Sequence, residues 1–317
     1  MSTTTPAATA EANTPTRAQA PPPISDRTRK EERLGWMLAG PAFFIMLAVT
    51  VYPILNAVYL SFFDYRLTDA ANRSFVFLGN YVTILTDRLF WSQFAVTVAI
   101  TVFTVVVELV LGFALAMVMH RAILLRRSVR TAILVPYGII TVVSAYAWQY
   151  AFSNTYGFVN PLFGLGDFDW FGSTIPAVFA ICVSEIWKTT PFMSLLLLAG
   201  LAQIPDDYLE AAEVDGATWF QRLFRVILPN MKAAIMVALL FRTLDAFRIF
   251  DSVFIMTGGA QGTETLSFLA YRQTISRTAI GLGSAVSVIL AILVVLIAVL
   301  FIKGFKTDLA QARGEGR

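Results

Sequence analysis

The sequence predicts an all-α integral membrane protein with six transmembrane helices and both termini in the cytoplasm. Three observations carry this expectation. The 317 residues are 57% hydrophobic and only 14% charged, with a mean hydropathy of +0.67, whereas a soluble domain carries about 25% charged residues. Six apolar stretches, near 36–60, 93–119, 129–152, 175–201, 231–257 and 279–303, reach the roughly 20 residues needed to cross a bilayer. Lys and Arg are distributed with a strong bias among the segments that join them.

The elements follow in order. Residues 1–30, rich in Ala, Thr and Pro and holding Pro21-Pro22-Pro23, cannot bury a core and are expected to form a disordered cytoplasmic tail. No cleaved signal peptide is expected, because the apolar run after Arg33 is too long for an h-region. Residues 31–305 form the six-helix domain, and 306–317 a cytoplasmic C-terminal tail. Each span is expected to be helical, since lipid offers backbone groups no other partner; β-branched runs such as Val105-Val106-Val107 are tolerated for that reason.

Arg27, Arg29, Lys30 and Arg33 precede the first span, and Arg121, Arg126, Arg127 and Arg130 crowd the second loop. Arg222, Arg225 and Lys232 lie in or beside the fourth, while Lys303, Lys306, Arg313 and Arg317 follow the last span. Residues 153–174 contain no Lys or Arg. The loop 202–230 is therefore cytoplasmic, and 61–92 and 153–174 face outward. Trp91, Trp148, Tyr150 and Trp170 suit the outer interface as aromatic anchors. Pro136 and Pro191 each free a carbonyl, either as a packing kink or at a cavity.

Several function classes are excluded or disfavoured. A net charge of +3 placed beside the spans is no nucleic-acid footprint. The single Cys182 permits no intrachain disulfide, and no metal cluster is offered. His120 beside Arg121 reads as a headgroup-level residue. There is no G-x-x-x-x-G-K-[ST] phosphate loop, so ATP is not bound in that way. Gly258-Gly259 reads as a helix stop, and no nucleophile, base and orienter constellation appears.

Charges within spans are the candidate functional groups, because they are costly there. They are Glu108, then Glu185 and Lys188, then Arg242, Asp245, Arg248 and Asp251. Glu185 and Lys188 share a helix face and can pair. The charges from Arg242 onward alternate in sign every three residues, a row that rotates by half a turn and points Asp251 away from Arg242. Asp245 lies about 24 Å along its helix from Pro229, and Glu185 about 15 Å down from the opposite side. Both reach the middle to outer part of the membrane. A cavity there suits a hydroxyl-rich solute, with carboxylates accepting, Arg and Lys donating, and Tyr137 and Phe192 covering the apolar sugar face. The bland alternative is that these charges are structural pairs between helices.

Residues 210–229, EAAEVDGATWFQRLFRVILP, are polar and helix-forming yet lie between two spans. Glu210, Ala211, Ala212, Gly216, Leu228 and Pro229 fall on the pattern Glu-Ala-Ala, three residues, Gly, nine residues, Ile, one residue, Leu-Pro, with Val226 in place of the Ile. This resembles the coupling loop of ABC importer permeases. Tyr52-Pro53, Leu78-Gly79-Asn80-Tyr81, Trp187 with Pro191, Ile204-Pro205-Asp206-Asp207 and Phe250-Asp251 through Gly258-Gly259 extend the likeness over about residues 30–305. The chain resembles the first permease subunit of disaccharide importers of the maltose-permease type, without the extra N-terminal spans and large outer domain of some members.

The resemblance implies a type I ABC importer permease fold in the plasma membrane of a bacterial-type cell. It implies import of a disaccharide such as trehalose or maltose by alternating access. The partners would be a second permease subunit, two ATPase subunits, an extracytoplasmic solute-binding protein, the sugar and lipid. ATP and Mg would be used by the ATPase; this chain would bind no cofactor and catalyse no reaction. Carried over by local motif, the sugar contacts would be Tyr137, Thr141, Glu185, Lys188, Thr189, Phe192, Asp245 and Arg248; the last two are often amides in relatives. Coupling would fall to Glu210, Ala211, Ala212, Asp215, Gly216, Leu228 and Pro229, with Glu210 near its helix start. Rival readings are a permease for glycerol-3-phosphate or another small polar solute, a proton-coupled secondary transporter using Asp245 or Glu185, and a membrane scaffold or sensor. The charge bias makes a first prediction: in intact cells an impermeant thiol reagent should modify Ser173→Cys and spare Ser128→Cys, and the reverse pattern would overturn the N-inside topology.

Overall fold

The computed structural model describes residues 26–121 and 126–314. The expected tail over 1–25 lies outside them. Two units divide the chain, residues 1–54 and 55–317. Helix α1 (Asp26–Ser61), most of which belongs to the first, already begins at Asp26, so 26–30 are helical rather than part of a tail. Its Trp36–Ser61 portion is long and apolar enough to cross a membrane.

In the second unit, a two-stranded ribbon (β1 Phe63–Asp64, β2 Ser74–Phe75) and α2 (Gly79–Thr86) lead into α3 (Arg88–Arg121). Then come α4 (Arg126–Gly138), α5 (Thr141–Ala151), the short α6 (Val159–Phe163) and α7 (Thr174–Leu201). The 202–230 segment holds α8 (Asp206–Val214), α9 (Trp219–Arg222), a π-helical turn over Leu223–Ile227 and α10 (Leu228–Asn230). The chain continues with α11 (Lys232–Ala246), α12 (Asp251–Met256), α13 (Leu266–Tyr271) and α14 (Ile280–Gly314). Helix α14 runs through most of the expected C-terminal tail.

Four helices are long and apolar enough to span, and two further spans exist if each bent pair counts as one. The stretch expected as a continuous third span is thus broken, and a bend precedes the expected fifth. Residues 127–138 and 141–151 meet at 88°, and 219–230 and 232–256 at 70°. The first break follows Pro136, whose missing N–H weakens the last turn of α4. Pro191, by contrast, sits buried inside an unbroken α7. A further interruption separates α11 from α12 at Phe247–Phe250, where the sequence has neither Pro nor Gly. Its freed backbone groups are served by side chains: Thr265 Oγ1 donates to the Ile249 carbonyl (3.0 Å), and Arg248 Nε to that of Leu244 (3.1 Å).

The pair α3 and α7 forms the centre of the unit. One face of α3 carries Gln93, Thr97, Thr101, Thr104 and Glu108, all buried. The threonines bond back to carbonyls one turn earlier, and Thr97 Oγ1 also accepts the Leu266 N–H at 3.0 Å. The 257–279 connection, read from sequence only as a loop after a helix stop, therefore packs α13 into the core through Leu266 and Leu269. Trp148 and Trp170 also turn inward, against Phe152, and Trp170 donates to Asn160 at 2.7 Å. Trp91 and Tyr150 stay exposed, as anchors would.

The 202–230 segment is a helix, a turn and a second helix. Helix α8 closes with Gly216 at φ +72°, a backbone region that glycine enters without steric cost. The Gly216 N–H bonds the Glu213 carbonyl and the Ala217 N–H that of Ala212, at 3.0 and 2.9 Å, a Schellman ending. Thr218 then caps α9 in a reciprocal box with Gln221. Arg222 pairs with Glu213 across the turn at 3.2 Å. Glu210 lies in the middle of α8 rather than at its start, and the acids facing the positive helix end are Asp206 and Asp207. Pro229 sits in the first turn of α10, before the bend, so α11 starts three residues later than expected from the proline.

Gly112 lets α3 approach α7: a Cβ there would stand 2.8 Å from Met193 Cγ and 3.2 Å from the Ser194 nitrogen. Gly112→Leu should therefore overpack this contact at a cost of about 1–3 kcal/mol. The purified protein in detergent should lose its monodisperse elution peak at a lower temperature, with Gly112→Ala intermediate. An unchanged midpoint for the leucine variant would disprove the close approach.

Candidate functional site

Both interruptions deliver helix starts to one place. Thr141 opens α5 and Asp251 opens α12, and both line a cavity of about 260 Å³. Its other walls are Tyr137 from α4, Glu185, Lys188 and Thr189 from α7, Asp245 from α11, and Arg248, Ile249 and Phe250 from the interruption. Such half-helix ends around a central cavity are a recurring transporter device. All the sequence-predicted binding residues except Phe192 are on this wall. Phe192 stands behind it, stacked on Tyr137 with ring centroids 5.4 Å apart and planes 16° from parallel.

The charges are partnered differently from the sequence expectation. Glu185 does not find its partner in Lys188 among the described ion pairs; its Oε2 lies 3.6 Å from Arg242 Nη2, and its Oε1 accepts from Ser252. Lys188 instead holds its ammonium 5.8 Å from the centroid of Tyr137, within cation–π range. Arg242 does pair with Asp245 three residues on, Nη1 to Oδ2 at 2.9 Å. The alternating row stops there, since Arg248 turns back to the Leu244 carbonyl.

Glu108 and Arg242 form the buried centre behind the cavity. The sequence marks both as intramembrane charges but gives no sign that they meet. Arg242 grips Glu108 through Nε to Oε2 and through Nη2 to Oε1, the latter at 2.9 Å. The two side chains are 1% and 0% exposed, against 66% for Asp245. Thr189 Oγ1 lies 2.7 Å from Glu108 Oε1 and 2.6 Å from the Glu185 carbonyl, so its one proton serves one of them at a time. The charged groups thus divide: Glu108 and Arg242 tie helices together, while Asp245, Lys188, Arg248 and Asp251 face the cavity. Nothing in the sequence marked Ile249 and Phe250 as wall residues, because the break that exposes them lacks a breaker residue.

Elsewhere, Glu264 accepts from Gln93 and pairs with Arg272, joining α13 to α3. A smaller apolar hollow lies between the end of α3 and the 202–230 segment, with His120, Arg121 and Arg222 on its rim. Among the described residues no group of three or more His, Cys, Asp or Glu side chains is placed to hold a metal.

A helical membrane chain with broken spans around a polar central cavity is the transmembrane part of a transporter. It belongs to the family of binding-protein-dependent transport system inner membrane components, whose model matches residues 108–306. It is a transport component of an ABC importer rather than an enzyme. The chain is 49% identical over 287 residues to the trehalose transport system permease protein SugA of Mycobacterium tuberculosis, covering 90% of this chain and 93% of that protein. It is 35% identical over 279 residues to the trehalose/maltose transport system permease protein MalF of Thermococcus litoralis, covering 86% and 94%. The fold is that of a bacterial ABC transporter involved in the import of the acidic polysaccharide alginate, with a TM-score of 0.75 at 20% identity, over 89% of this chain and 99% of that one.

Asp245 is mostly exposed, but its removal leaves the buried Arg242 Nη1 without the acceptor it now has. Asp245→Ala should cost about 1–3 kcal/mol of stability yet leave the importer assembled and lower solute uptake at least tenfold. Glu108→Ala should instead reduce the yield of assembled importer, since breaking a buried pair costs about 3–5 kcal/mol. Uptake assays with co-purification of the ATPase separate the two. Wild-type uptake by Asp245→Ala would remove it from the solute path.

Proposed function

We propose that this chain is the permease subunit of an ATP-driven importer that carries a neutral disaccharide, trehalose foremost, across the inner membrane by alternating access. The observation that carries the reading is near end-to-end identity of 49% to a protein named as a trehalose permease, in a chain with a polar cavity among its broken helices. The cavity chemistry supports it. Asp245 and Asp251 offer acceptors for sugar hydroxyls, Lys188 and Arg248 offer donors, and Tyr137, backed by Phe192, offers a ring face. A proton-coupled carrier would leave the 210–229 segment without a role.

In this reading α4 with α5 makes one crossing and α11 with α12 another, which makes six spans with both termini cytoplasmic and leaves 202–230 outside the bilayer. A second permease subunit supplies the other half of the pathway, and an extracytoplasmic binding protein delivers the sugar. Two ATPase subunits hold ATP and Mg, and this chain binds no cofactor of its own. The 202–230 segment couples them to the cavity. Ala211 and Ala212 keep one side of α8 low, Gly216 and Asp215 shape the turn, and Leu228 and Pro229 lead to the bend below α11. Val214 at 88% exposure and Phe220 at 66% supply apolar contact area for a partner.

Cells lacking the gene should fail to accumulate labelled trehalose and regain uptake with the wild-type gene; wild-type uptake in the deletion strain would refute the assignment. The same strain tests coupling. No atom lies within 4 Å of a Cβ built on Gly216, so its constraint is backbone alone. Asn tolerates the left-handed conformation and Leu loses about 1–2 kcal/mol there. Gly216→Asn should transport near normally, whereas Gly216→Leu should lose ATPase co-purification or sugar-stimulated hydrolysis. Normal values for Gly216→Leu in both assays would take the coupling role away from this segment.

A further inference from the structure

We propose that Arg242 is a positioning residue that holds Asp245 in the cavity wall, with Glu108 and Glu185 as its anchors. The inference rests on the cavity being the sugar path. A guanidinium carries its N–H donors in a rigid planar fork. Here one edge, Nε and Nη2, is spent on Glu108, and Nη2 also faces Glu185 at 3.6 Å. The remaining nitrogen, Nη1, donates to Asp245 Oδ2 at 2.9 Å. With its side chain 1% exposed, Arg242 has no face to offer a solute.

Asp245 is the reverse. It is bound through Oδ2, its side chain is 66% exposed, and Oδ1 remains free to accept from the cavity. An exposed aspartate on a helix would sample several rotamers. One tied by a charged hydrogen bond to a guanidinium, itself fixed from two other helices, presents its second oxygen in one direction. That is what selective acceptance of one sugar hydroxyl requires, since a charge-assisted bond depends on geometry. Lysine could not substitute, because one ammonium cannot span Glu108 and Asp245 as the fork does.

The test uses the whole importer, with its binding protein and ATPase, in cells lacking the native copy. Maximal uptake rates are measured for trehalose and for each of its mono-deoxy analogues at saturating concentration. Asp245→Asn puts a donor where an acceptor stood, and should flatten the preference for trehalose over one analogue about tenfold, the scale of a hydrogen bond to a charged group. The double replacement Glu108→Met with Arg242→Met removes the buried pair while keeping apolar packing, which buried pairs often tolerate. It should flatten the same preference, and adding Asp245→Asn to it should change little more, because both act through one carboxylate.

A double variant that slows all sugars equally but keeps the wild-type preference overturns the proposal, as does an additive triple variant. If the methionine pair does not co-purify with the ATPase, Arg242→Lys decides. An assembled importer with flattened preference supports positioning; a wild-type preference overturns it. Failure of Arg242→Lys to assemble as well also overturns it, in favour of a purely structural tie. Asp245→Asn identical to wild type on every sugar would instead sink the cavity reading itself.

Discussion

A guanidinium buried among carboxylates from three helices sets the terms for the rest of this fold. Helix α3 is apolar over most of its 34 residues and yet carries Glu108 at zero exposure. An isolated charge in that position would cost several kcal/mol even after relaxation. Arg242 from α11 and Thr189 from α7 meet it, so the three helices must stay in one register. Apolar clusters lie on either side of this ionic layer, with Ile100, Ile181 and Val253 in one and Ala116, Met193 and Leu197 in the other. A slip of one helical turn, about 5.4 Å, would move Glu108 against those hydrocarbons.

The cavity exists because helices stop beside that layer. Every interruption in a bilayer must find partners for freed backbone groups. At Phe247–Phe250 they come from Thr265, beyond the next short helix, and from Arg248 within the break. At residues 139–140 the chain turns just after a proline and a glycine, Pro136 and Gly138. Glu185 joins the two sides of the first of these interruptions, facing Arg242 of α11 with one oxygen and Ser252 of α12 with the other. At Phe247 and Ile249 the irregular backbone therefore lies where protein surrounds it.

What could be read in the sequence follows the range of the forces concerned. The four long apolar helices were legible because an apolar run of twenty residues has few alternatives. The turn at Gly216 was legible because its chemistry is local, within a few bonds of the glycine. The depth of Glu185 and Asp245 followed from helical rise alone, and both reached one cavity. Spacing misled where a distant partner was stronger: Glu185 meets Arg242 and Ser252 in preference to Lys188, its own neighbour one turn away. The break before Asp251 was invisible, because the hydroxyl that satisfies it is Thr265, 16 residues from Ile249 in sequence. Pro191 is the opposite case, a proline held inside an unbroken, well-packed α7. Trp148 and Trp170 looked like interface anchors, but Trp170 donates to the buried Asn160 and Trp148 packs against Phe152 and Trp187.

The same interactions decide which parts of the molecule can yield. Helix α11 rises as a 15-residue rod from the bend at Met231 and carries Arg242 and Asp245 near its far end. At 1.5 Å per residue it spans about 22 Å, the distance between the 202–230 segment and the cavity. Its base is packed by Leu223, Ile227 and Met231 against Leu197 of α7. A push on that base can move α11 alone only by breaking the Glu108–Arg242 pair, at about 3–5 kcal/mol. Moving α3, α7 and α11 together leaves that pair intact. The give then falls at the two interruptions, where α12 is tied to α7 by the Ser252–Glu185 bond, one charged hydrogen bond worth about 1.5–3 kcal/mol. The two interruptions thus border the cavity, and the buried Glu108–Arg242 pair stands behind it.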